Sequence, residues 1–578
     1  MKLFSCWGVW AVTVSGDIFG WPYKYLIETQ NQERIYKADP FAFYSELRPG
    51  TASRAFGLDG YQWNDEDWMR RQKEHSLYAQ PMSIYEVHLP SFVGEINYRS
   101  LAKRLVPYVR KMGYTHVEFM PVAEYPLDAS WGYQITGFYS VTGRGGSPYD
   151  FMALIDALHA AGIGVILDWV IAHFPRDDFG LRLFDGTPCY EYANPLEGEH
   201  PEWGTMVFNY ARNEVRSFLL SNALFWAEVY HVDGLRADAV SSMLYRSYGR
   251  KDGEWIRNCH GGAENLEAIS LLQRCSERLF ERFPGFIFAA EESTAFPLVT
   301  RPANVGGLGF NYKWNMGWMN DILEYMSMDP VYRKHHHNKL TFSMMYAFSE
   351  NYILAISHDE VVHGKKSLLD KMPGDYWQKF ANLRVFFAYM FAHPGKKLLF
   401  MSGEIGQFIE WRFYESVEWK LLAYPAHKEL QQFVKRLNAF YRTTVPLYEI
   451  EDSWEGFAWN TPDDSEHSVI AFTRRSKSGH ALLCVFNFTP VVWENYRLGV
   501  PGGSYKEVIN SDDAQYGGSG VCNEGKITSR PVAWNGYAHS IEIRLPPLGG
   551  VYFTYKPTPQ KRGRGEQDKT TGGKANAI

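Results

Sequence analysis

The stretch HVDGLRADAV at residues 231–240 carries a cation and a carboxylate near the end of an otherwise apolar run. Arg236 and Asp238 are two residues apart, so both side chains lie on the same face of an extended strand. A single buried pair of this kind is more often structural than catalytic. Other apolar segments of the chain also end in polar residues, namely Asp168, Glu291, His358 and Asp359. An apolar core does not need six polar residues at the ends of its strands. Their presence therefore indicates that they form one shared site.

Four of these six residues are carboxylic acids, and paired carboxyl groups are typical of enzymes that cleave glycosidic bonds. A retaining site needs an ionised nucleophile and a protonated acid about 5 to 5.5 Å apart, in surroundings that separate their pKa values. Arg236 is placed to keep Asp238 ionised. Glu292 follows Glu291 directly, so strand alternation sends their side chains to opposite faces and only one of them reaches the site.

The elements that must position these residues repeat a short apolar strand, a polar loop and a helix from about residue 84 to 445. Eight strands are predicted, at 84–89, 116–122, 164–170, 234–240, 286–292, 309–314, 352–359 and 397–403. Strands of this kind with intervening helices predict an α/β fold, a parallel (β/α)8 TIM barrel, in which the strand C-termini converge at one mouth. The polar residues are therefore expected to meet there. The long loop 171–212 is expected to form a lid or substrate wall.

The two ends of the chain differ from this repeat. Residues 446–556 alternate short strands with Gly, Asn and Asp turns, which predicts an antiparallel β-sandwich after a barrel domain at 76–445. Residues 1–75 form another β-rich piece, in which the run GVWAVTV favours a strand over a secretory signal. The tail 557–578 lacks apolar periodicity and is predicted to be disordered.

Composition limits the classes of partner. The 578 residues carry a net charge of −6, which gives no basic field for nucleic acid or anionic lipid. An aromatic content of 16% favours either sugar-stacking platforms or several aromatic-rich cores. Six scattered Cys residues without CxxC pairs predict neither a disulfide framework nor a zinc site, so we expect a cytoplasmic protein. No apolar stretch has the length of a transmembrane helix.

Four blocks of the sequence, in order, resemble one known family: DWVIAHF (168–174), GLRADAV (234–240), AAEEST (289–294) and SHDEVVHGKKS (357–367). The family is the bacterial 1,4-α-glucan (glycogen) branching enzymes of the α-amylase superfamily, glycoside hydrolase family 13. The resemblance covers nearly the whole chain, including SWGYQITGFYS at 130–140. Members usually carry a complete carbohydrate-binding β-sandwich before the barrel, and here the resemblance implies only a partial N-terminal β-sandwich.

The resemblance also implies a role for each site residue. Asp238 is similar to the family's nucleophile, Glu291 to its general acid/base and Asp359 to its transition-state stabiliser. Substrate-binding roles are implied for Tyr133, Asp168, His173, Arg236 and His358. Ala237 and Ile171 depart from the residues that the family usually has there, Val and Pro, and both bear on packing rather than chemistry. No cofactor and no metal are expected, since His358 and His363 are five apart and do not share a helix face.

The resemblance implies an enzyme that cleaves α-1,4-glucosidic bonds and transfers the glucan to a 6-hydroxyl, by retaining double displacement, in glycogen biosynthesis. The expected partner is an α-1,4-glucan such as glycogen or amylose, with no nucleic acid or membrane partner, and the chain is expected to be a monomer. Two alternatives stay open: an α-glucan hydrolase of the same superfamily with the same carboxylates, and a glucan-binding protein without catalysis. Intact carboxyl groups disfavour the second, because burying them without a chemical role costs stability.

Overall fold

The computed structural model describes residues 1–4, 9–74, 76–94 and 96–558, and eight parallel strands form a closed barrel at its centre. In chain order the strands are β1 (Ser83–Val87), β2 (His116–Phe119), β3 (Gly164–Trp169), β4 (Gly234–Ala237), β5 (Ile287–Ala290), β6 (Tyr312–Trp314), β7 (Tyr352–Ile356) and β8 (Lys396–Phe400). Each strand pairs with the next, and β8 pairs with β1. The predicted (β/α)8 barrel is confirmed, with each strand inside or overlapping its predicted segment.

The barrel interior is divided into an apolar lower part and a polar upper part. The lower part is a separate core cluster that includes Ile84, Ile166, Ile287 and Leu398. Strand side chains alternate with a period of two, so the residue two positions after an interior residue also points inward, one layer higher. By this alternation Ile84 is followed by Glu86 and Ile166 by Asp168. A dry apolar floor therefore lies directly beneath the polar groups.

Seven longer helices surround the barrel: Tyr98–Met112, Pro148–Ala160, Asn213–Val229, Leu266–Arg282, Met316–Ser327, Tyr376–Ala392 and Pro425–Thr443. The first of these buries Leu101, Leu105 and Val109, whose four-residue spacing places them on one face. Asn97 caps its N-terminus by accepting from the Ser100 backbone N–H. Gly113 ends the helix with a φ of 83°, a conformation that glycine adopts without strain. Local sequence thus determines where the helix begins and ends.

The long loop after β3 is built as a small structure of its own. It carries a three-stranded antiparallel sheet of His173–Phe174, Thr205–Val207 and Glu199–His200. His173 pairs with Val207 in this sheet. Backbone pairing fixes the position of the loop beside the barrel mouth, as expected for a substrate wall.

The C-terminal part is an antiparallel all-β domain. Six strands form one sheet, in the order Phe457–Asp464, Val469–Arg475, Ala481–Asn487, Gly549–Pro557, Gly503–Asn510 and Ile527–Thr528. Trp493–Val500 and His539–Leu545 pair separately, and their Leu498 and Ile541 share one apolar cluster with Val485 and Val551 of the larger sheet. The two sheets therefore pack face to face, as the predicted sandwich requires.

Three buried arginines join this domain to the barrel. Arg474 donates to the carbonyl of Ala392, the last residue of a barrel helix, at 2.7 Å. Arg384 donates from that helix to Ser511 O at 2.8 Å, and Arg333 donates to Phe488 O at 2.8 Å. These charge-assisted bonds satisfy backbone carbonyls at the interface.

Before the barrel, the described residues form short antiparallel pieces. Lys2–Phe4 pairs with Val9–Ala11, and Tyr25–Glu28 pairs with Arg34–Lys37. Pro22–Tyr23, Ser53–Arg54 and Tyr44–Ser45 form a three-stranded sheet, followed by the helix Glu66–Glu74. Val9–Ala11 lies within the predicted strand GVWAVTV. The tail that was predicted to be disordered at 557–578 starts too early, since Pro557 ends the strand Gly549–Pro557. Residues 559–578 of that tail lie outside the described residues.

Among the helices of the described residues, none combines the length and the apolar character that a membrane span needs.

A buried His–Asp cluster attaches the segment before the barrel to the barrel floor. His159 bonds Asp65 through Nδ1 at 2.8 Å and Asp233 through Nε2 at 3.0 Å. Trp68 donates to Asp233 at 2.8 Å and stacks on the His159 ring at a centroid distance of 5.1 Å. Burial alone would lower the pKa of His159, but the two carboxylates raise it to about 9. At neutral pH His159 is therefore an imidazolium that donates to both aspartates.

We predict that His159→Gln lowers the thermal unfolding midpoint at pH 6.5 by about 2 to 4 °C, and by much less at pH 10. The pKa of His159 in the folded protein lies above its ordinary 6.5, so its stabilisation is complete below that pH and is lost as the pH rises through about 9. Scanning calorimetry at several pH values measures the difference, with exposed His335→Gln as the matched control. A midpoint difference that stays constant from pH 6.5 to 10 would contradict the charged role of His159.

Candidate active site

A cleft of about 490 Å³ opens at the C-terminal ends of the barrel strands. Six of the predicted site residues line it: Tyr133, His173, Asp238, Glu291, His358 and Asp359. The other two, Asp168 and Arg236, are buried and bond to the lining residues from below. The structure therefore brings together all eight residues that the sequence singled out, although Tyr133 and Asp359 lie 226 positions apart.

Arg236 is the centre of the site. Its Nη1 donates to Asp168 Oδ2 at 2.9 Å and to Asp238 Oδ1 at 3.1 Å, and its Nη2 donates to Glu291 Oε2 at 2.6 Å. The guanidinium lies over the ring of Trp314 at 4.2 Å from the ring centre, and the residue has no exposed surface. One planar group thus fixes the positions of three carboxyl groups. Asp238 and Glu291 lie close together because they bond the two terminal nitrogens of the same guanidinium.

The chain turns sharply after β4 to present Asp238. Ala239 adopts a φ of 49°, in the left-handed region that non-glycine residues rarely occupy. This conformation directs the Ala239 backbone N–H to Glu291 Oε2 at 3.0 Å, while the short helix Val240–Leu244 follows. The surrounding hydrogen bonds hold the backbone in this strained conformation, and such strain is typical of functional sites.

Glu291 and its neighbour Glu292 point to different surroundings. Glu291 lines the cleft, with a side chain that is 19% exposed, and only its Oε2 has protein donors in the described part of the chain. Glu292 is fully buried, pairs with Lys313 at 2.6 Å and accepts from Ser241 at 3.1 Å. Oε1 of Glu291 is therefore the carboxyl oxygen that faces the cleft without an internal partner.

His358 connects the cleft to β1 through Glu86. The His358 backbone N–H donates to Glu86 Oε2 at 3.0 Å, and Nδ1 bonds Glu86 Oε1 at 2.5 Å. Nε2 lies 3.4 Å from Asp359 Oδ1. Burial acts to lower the pKa of His358, but Asp359, Glu86 and Asp168 raise it to about 9. His358 is thus a buried cation at neutral pH, and its Nε2 also lies 3.3 Å from the Tyr133 hydroxyl.

Tyr133 lies beside His358 on the floor of the cleft. Its ring is nearly parallel to the His358 ring, with 5.5 Å between centroids and 22° between planes. The Tyr133 hydroxyl donates to Asp168 Oδ2. Burial and the charge of Asp168 raise the pKa of Tyr133 well above its ordinary value, so it stays a neutral donor. An oriented aromatic face at this place suits a pyranose ring.

The remaining histidine, His173, is neutral. Burial lowers its pKa to about 4, and its Nδ1 has no hydrogen-bond partner among the described residues. Its ring lies 5.2 Å from that of Trp203 on the wall formed by the loop sheet. A buried, unpaired imidazole at the cleft is available to a ligand hydroxyl.

The acidic groups of the site differ in their protonation. Burial raises the pKa of Asp238 above its ordinary value, although Arg236 opposes this. Burial likewise raises the pKa of Asp168 to about 6. Asp359 is more exposed, and there the cations His358 and Arg236 outweigh burial and lower its pKa. These three carboxyl groups therefore differ in proton affinity, and Asp359 is the one whose ionised form the site favours.

Several lining residues escaped the sequence-based prediction. Trp131, Trp203, Tyr248 and His363 form aromatic walls of the cleft, and Trp131 stacks on His363 at 5.1 Å. They lie in loops, where an aromatic residue carries no periodic signal. Glu86 also escaped, although a carboxylate inside the apolar strand IYEVHL is the same kind of signal that marked Arg236.

Within the described ranges, no group of three or more His, Cys, Asp and Glu side chains is arranged to hold a metal ion. His358 is committed to Glu86 through Nδ1, and its protonation leaves no lone pair for a metal.

Two family descriptions match the chain. Residues 99–179 match the alpha amylase catalytic domain, and residues 459–556 match the alpha amylase C-terminal all-beta domain. A Halothermothrix orenii protein named 1,4-alpha-glucan branching enzyme GlgB is 55% identical over 560 residues, which is 96% of this chain and 88% of that protein. An Aquifex aeolicus protein of the same name is 54% identical over 558 residues, 95% of this chain and 88% of that protein.

Solved structures show the same fold. A pullulanase from an Anoxybacillus species, complexed with maltotetraose, superposes with a TM-score of 0.71 at 16% identity, over 95% of this chain and 80% of that one. A pullulanase from Bacillus acidopullulyticus gives a TM-score of 0.68 at 15% identity, over 95% of this chain and 69% of that one. At such identities the likeness extends to the fold alone.

We predict that Arg236→Lys lowers kcat/KM on an α-1,4-glucan by at least about a thousandfold, because an ammonium cannot hold three carboxyl groups in the planar fork geometry. Exposed Arg412→Lys, which bonds only Glu415, is the matched control and keeps wild-type activity. Iodine staining of amylose measures the loss, and thermal unfolding checks folding. A well-folded Arg236→Lys variant with near wild-type activity would show that the fork is dispensable.

Proposed function

The chain belongs to the 1,4-alpha-glucan branching enzyme family, and we propose that Asp238, Glu291 and Asp359 carry out the family's reaction in it. Its function is to cleave an α-1,4-glucosidic bond and to transfer the freed glucan to a 6-hydroxyl, which makes an α-1,6 branch in glycogen. The observation that carries this function is identity of 55% and 54% to two named branching enzymes over nearly the whole chain.

In the first step, Asp238 attacks the anomeric carbon while Glu291 protonates the leaving glycosidic oxygen. The bond from the anomeric carbon to that oxygen breaks, and a bond to a carboxylate oxygen of Asp238 forms. The proton comes from Oε1 of Glu291, the oxygen that faces the cleft. Both carboxyl groups are held by the two terminal nitrogens of Arg236, which supports their placement on either side of one bond.

In the second step, Glu291 acts as a base. It takes the proton of an acceptor 6-hydroxyl, whose oxygen attacks the anomeric carbon and releases Asp238. Two inversions at one carbon retain the anomeric configuration. The same residue serves as acid and then as base because its Oε1 faces the bond in both steps.

The other site residues act on the sugar at the cleaved bond. Asp359, held ionised by His358 and Arg236, would bind ring hydroxyls and stabilise the oxocarbenium-like transition state. His358 and His173 would donate or accept hydrogen bonds at the same ring, one as a cation and one neutral. Tyr133 would stack beneath it. Asp168 would act through Arg236 and Tyr133, to which it is bonded.

A hydrolase with these residues would differ only in the nucleophile that reaches the glucanyl enzyme, water instead of a sugar hydroxyl. The names of the relatives favour transfer. The aromatic walls Trp131, Trp203 and Tyr248 also favour it, because an acceptor glucan held against them displaces water from the intermediate.

We also propose the domain division made from the sequence: a partial N-terminal β domain at 1–75, the barrel at 76–445, the β-sandwich at 446–556 and a tail at 557–578. The match of residues 459–556 to a C-terminal all-beta domain supports the third boundary. β1 begins at Ser83, which supports the first.

The protein is further proposed to be a cytoplasmic monomer without a nucleic-acid or membrane partner. Five cysteines of the described residues are unpaired, two of them buried, which fits a reducing compartment. Light scattering of the eluting protein during gel filtration should give a mass near 66.6 kDa. A mass of twice that value at micromolar concentration would contradict the monomer.

We predict that Asp238→Asn and Glu291→Gln each lower branching activity by at least about ten-thousandfold without changing the thermal midpoint by more than a few degrees. Each variant removes the charge or proton that one step needs and keeps the side-chain shape. The exposed Asp178→Asn is the matched control.

The assay incubates the protein with amylose and follows iodine colour and reducing ends together, before and after a debranching enzyme. Branching lowers the colour with few new reducing ends, and debranching then releases chains. Many reducing ends before debranching would identify a hydrolase, and no change of either signal would identify a binding protein. Substantial turnover by Asp238→Asn would mean that the nucleophile is another residue.

A further inference from the structure

Glu118 is a carboxyl group buried inside the barrel without a hydrogen-bond partner. It lies on β2, in register with Glu86 on β1 and Ile166 on β3, so its side chain shares their interior layer. The residue has no exposed surface, and neither carboxyl oxygen accepts a hydrogen bond from the described residues. A buried carboxylate without a donor is among the most unfavourable groups a protein can hold.

Asp168, a carboxyl group on the neighbouring strand β3, also has a buried oxygen without a partner. Asp168 lies two residues after Ile166, one interior layer higher on the neighbouring strand. Its Oδ2 accepts from Tyr133 and Arg236, while its Oδ1 is buried and has no partner. Nε of Arg236 is also buried without a partner among the described residues. Two carboxyl groups on neighbouring strands therefore have three buried acceptor oxygens that accept no hydrogen bond from the described residues.

The charges around Glu118 are strongly unbalanced. The carboxyl groups of the site and its floor are Glu86, Glu118, Asp168, Asp238, Glu291 and Asp359. The basic groups that face them are Arg236 and His358, with Lys365 and His363 beside Asp359 at the mouth. His116 lies two residues before Glu118 on the same strand. Burial lowers the pKa of His116 to about 4, so it adds no charge at neutral pH. When so many acidic groups are shielded from water with so few cations, at least one of the carboxyl groups must be protonated.

Among these groups, Glu118 has the least compensation for a negative charge. Glu86 accepts two bonds from His358, and Glu291 accepts from Arg236 and from the Ala239 backbone. Asp238 is bonded to Arg236, and the Asp359 side chain is 42% exposed. Glu118 alone of the set, within the described residues, has neither a donor nor solvent.

We propose that Glu118 is a positioning residue, a neutral carboxylic acid whose hydroxyl donates a hydrogen bond to Asp168 Oδ1. The proton that burial demands then sits on Glu118, and Asp168 and the nucleophile Asp238 stay ionised. This inference rests on the proposed role of Asp238. No bond of the substrate changes at Glu118, since it acts through Asp168, which holds Arg236 and Tyr133.

The titration of Glu118 agrees with this geometry. Burial raises the pKa of Glu118 well above its ordinary value, and the charges of Asp168 and Glu86 raise it further against the opposing effect of Arg236. A hydrogen bond between Glu118 and Asp168 acts in the same direction, since it favours the protonated form of Glu118.

Infrared spectroscopy tests the protonation directly and needs no catalysis. At pH 7 the wild-type protein should show the carbonyl stretch of a buried carboxylic acid, and Glu118→Gln should remove it. Exposed Glu494→Gln is the matched control and should remove only carboxylate absorption. The comparison is repeated in the Glu291→Gln background, so that the general acid does not contribute. The proposal is overturned if the Glu118→Gln spectrum lacks carboxylate absorption that the wild-type spectrum has, while the carboxylic-acid band is unchanged.

Kinetics test the positioning role with two neutral variants. Glu118→Gln keeps an N–H donor for Asp168 and should retain at least about a tenth of wild-type kcat. Glu118→Met has a similar length and no donor, and kcat should fall about a hundredfold, while KM changes less than about threefold. The acid limb of the pH profile of kcat/KM should move up by about one unit in Glu118→Met only, because Asp168 without its donor is a stronger base and stays protonated to a higher pH.

The outcomes are distinguishable. Equal loss in both variants would mean that the negative charge of Glu118 is needed, and this overturns the proposal. A loss of activity in Glu118→Met that accompanies a lower thermal midpoint, while the acid limb of the pH profile stays in place, would mean that Glu118 has only a packing role. That result also overturns the proposal. If Glu118→Met does not fold, the infrared result and the activity of Glu118→Gln still decide. Failure of the nucleophile assignment shows up separately, as turnover by Asp238→Asn.

Discussion

One guanidinium determines the geometry of the whole site. Arg236 is fully buried on β4, lies over Trp314, and bonds three carboxyl groups that come from β3, β5 and the turn after β4. An arginine in such surroundings stays charged and planar, so each acid that it contacts has a defined position. Its removal would leave three buried acids without their shared counter-charge, which is why so much of the site depends on it.

The barrel can hold this buried cluster of charges because its interior is divided into an apolar floor and a polar mouth. Ile84 and Ile166 belong to the apolar floor, and the residues two positions later on the same strands, Glu86 and Asp168, each lie one layer higher on their own strand. Water is excluded from below, so the ionic bonds above are stronger than at a surface. The same exclusion of water raises the pKa of buried carboxyl groups such as Glu118 and Asp168. The chemistry of the cleft and the protonation of the interior are therefore coupled.

The parts outside the barrel support the mouth and the floor at different places. The loop sheet that contains His173 forms the wall of the cleft, whereas the His159 cluster attaches the preceding segment at the opposite end of the barrel. Buried arginines bond the C-terminal sandwich through backbone carbonyls. Each connection uses hydrogen bonds to fully buried polar groups, which gives it a defined geometry that apolar contact alone would not supply.

The sequence by itself determined the number and kind of the barrel strands, the polar residues at their ends, and the opposite directions of Glu291 and Glu292. These follow from local periodicity, because strand alternation has a fixed period of two. Only the tertiary structure decided that Glu86 and Glu118 lie in one layer beneath Asp168, and that Trp203, Tyr248 and His363 line the cleft. Their neighbours depend on the register and closure of eight strands and on the path of long loops. Contacts between residues so far apart in the chain arise from packing of the whole barrel, and no local pattern encodes them.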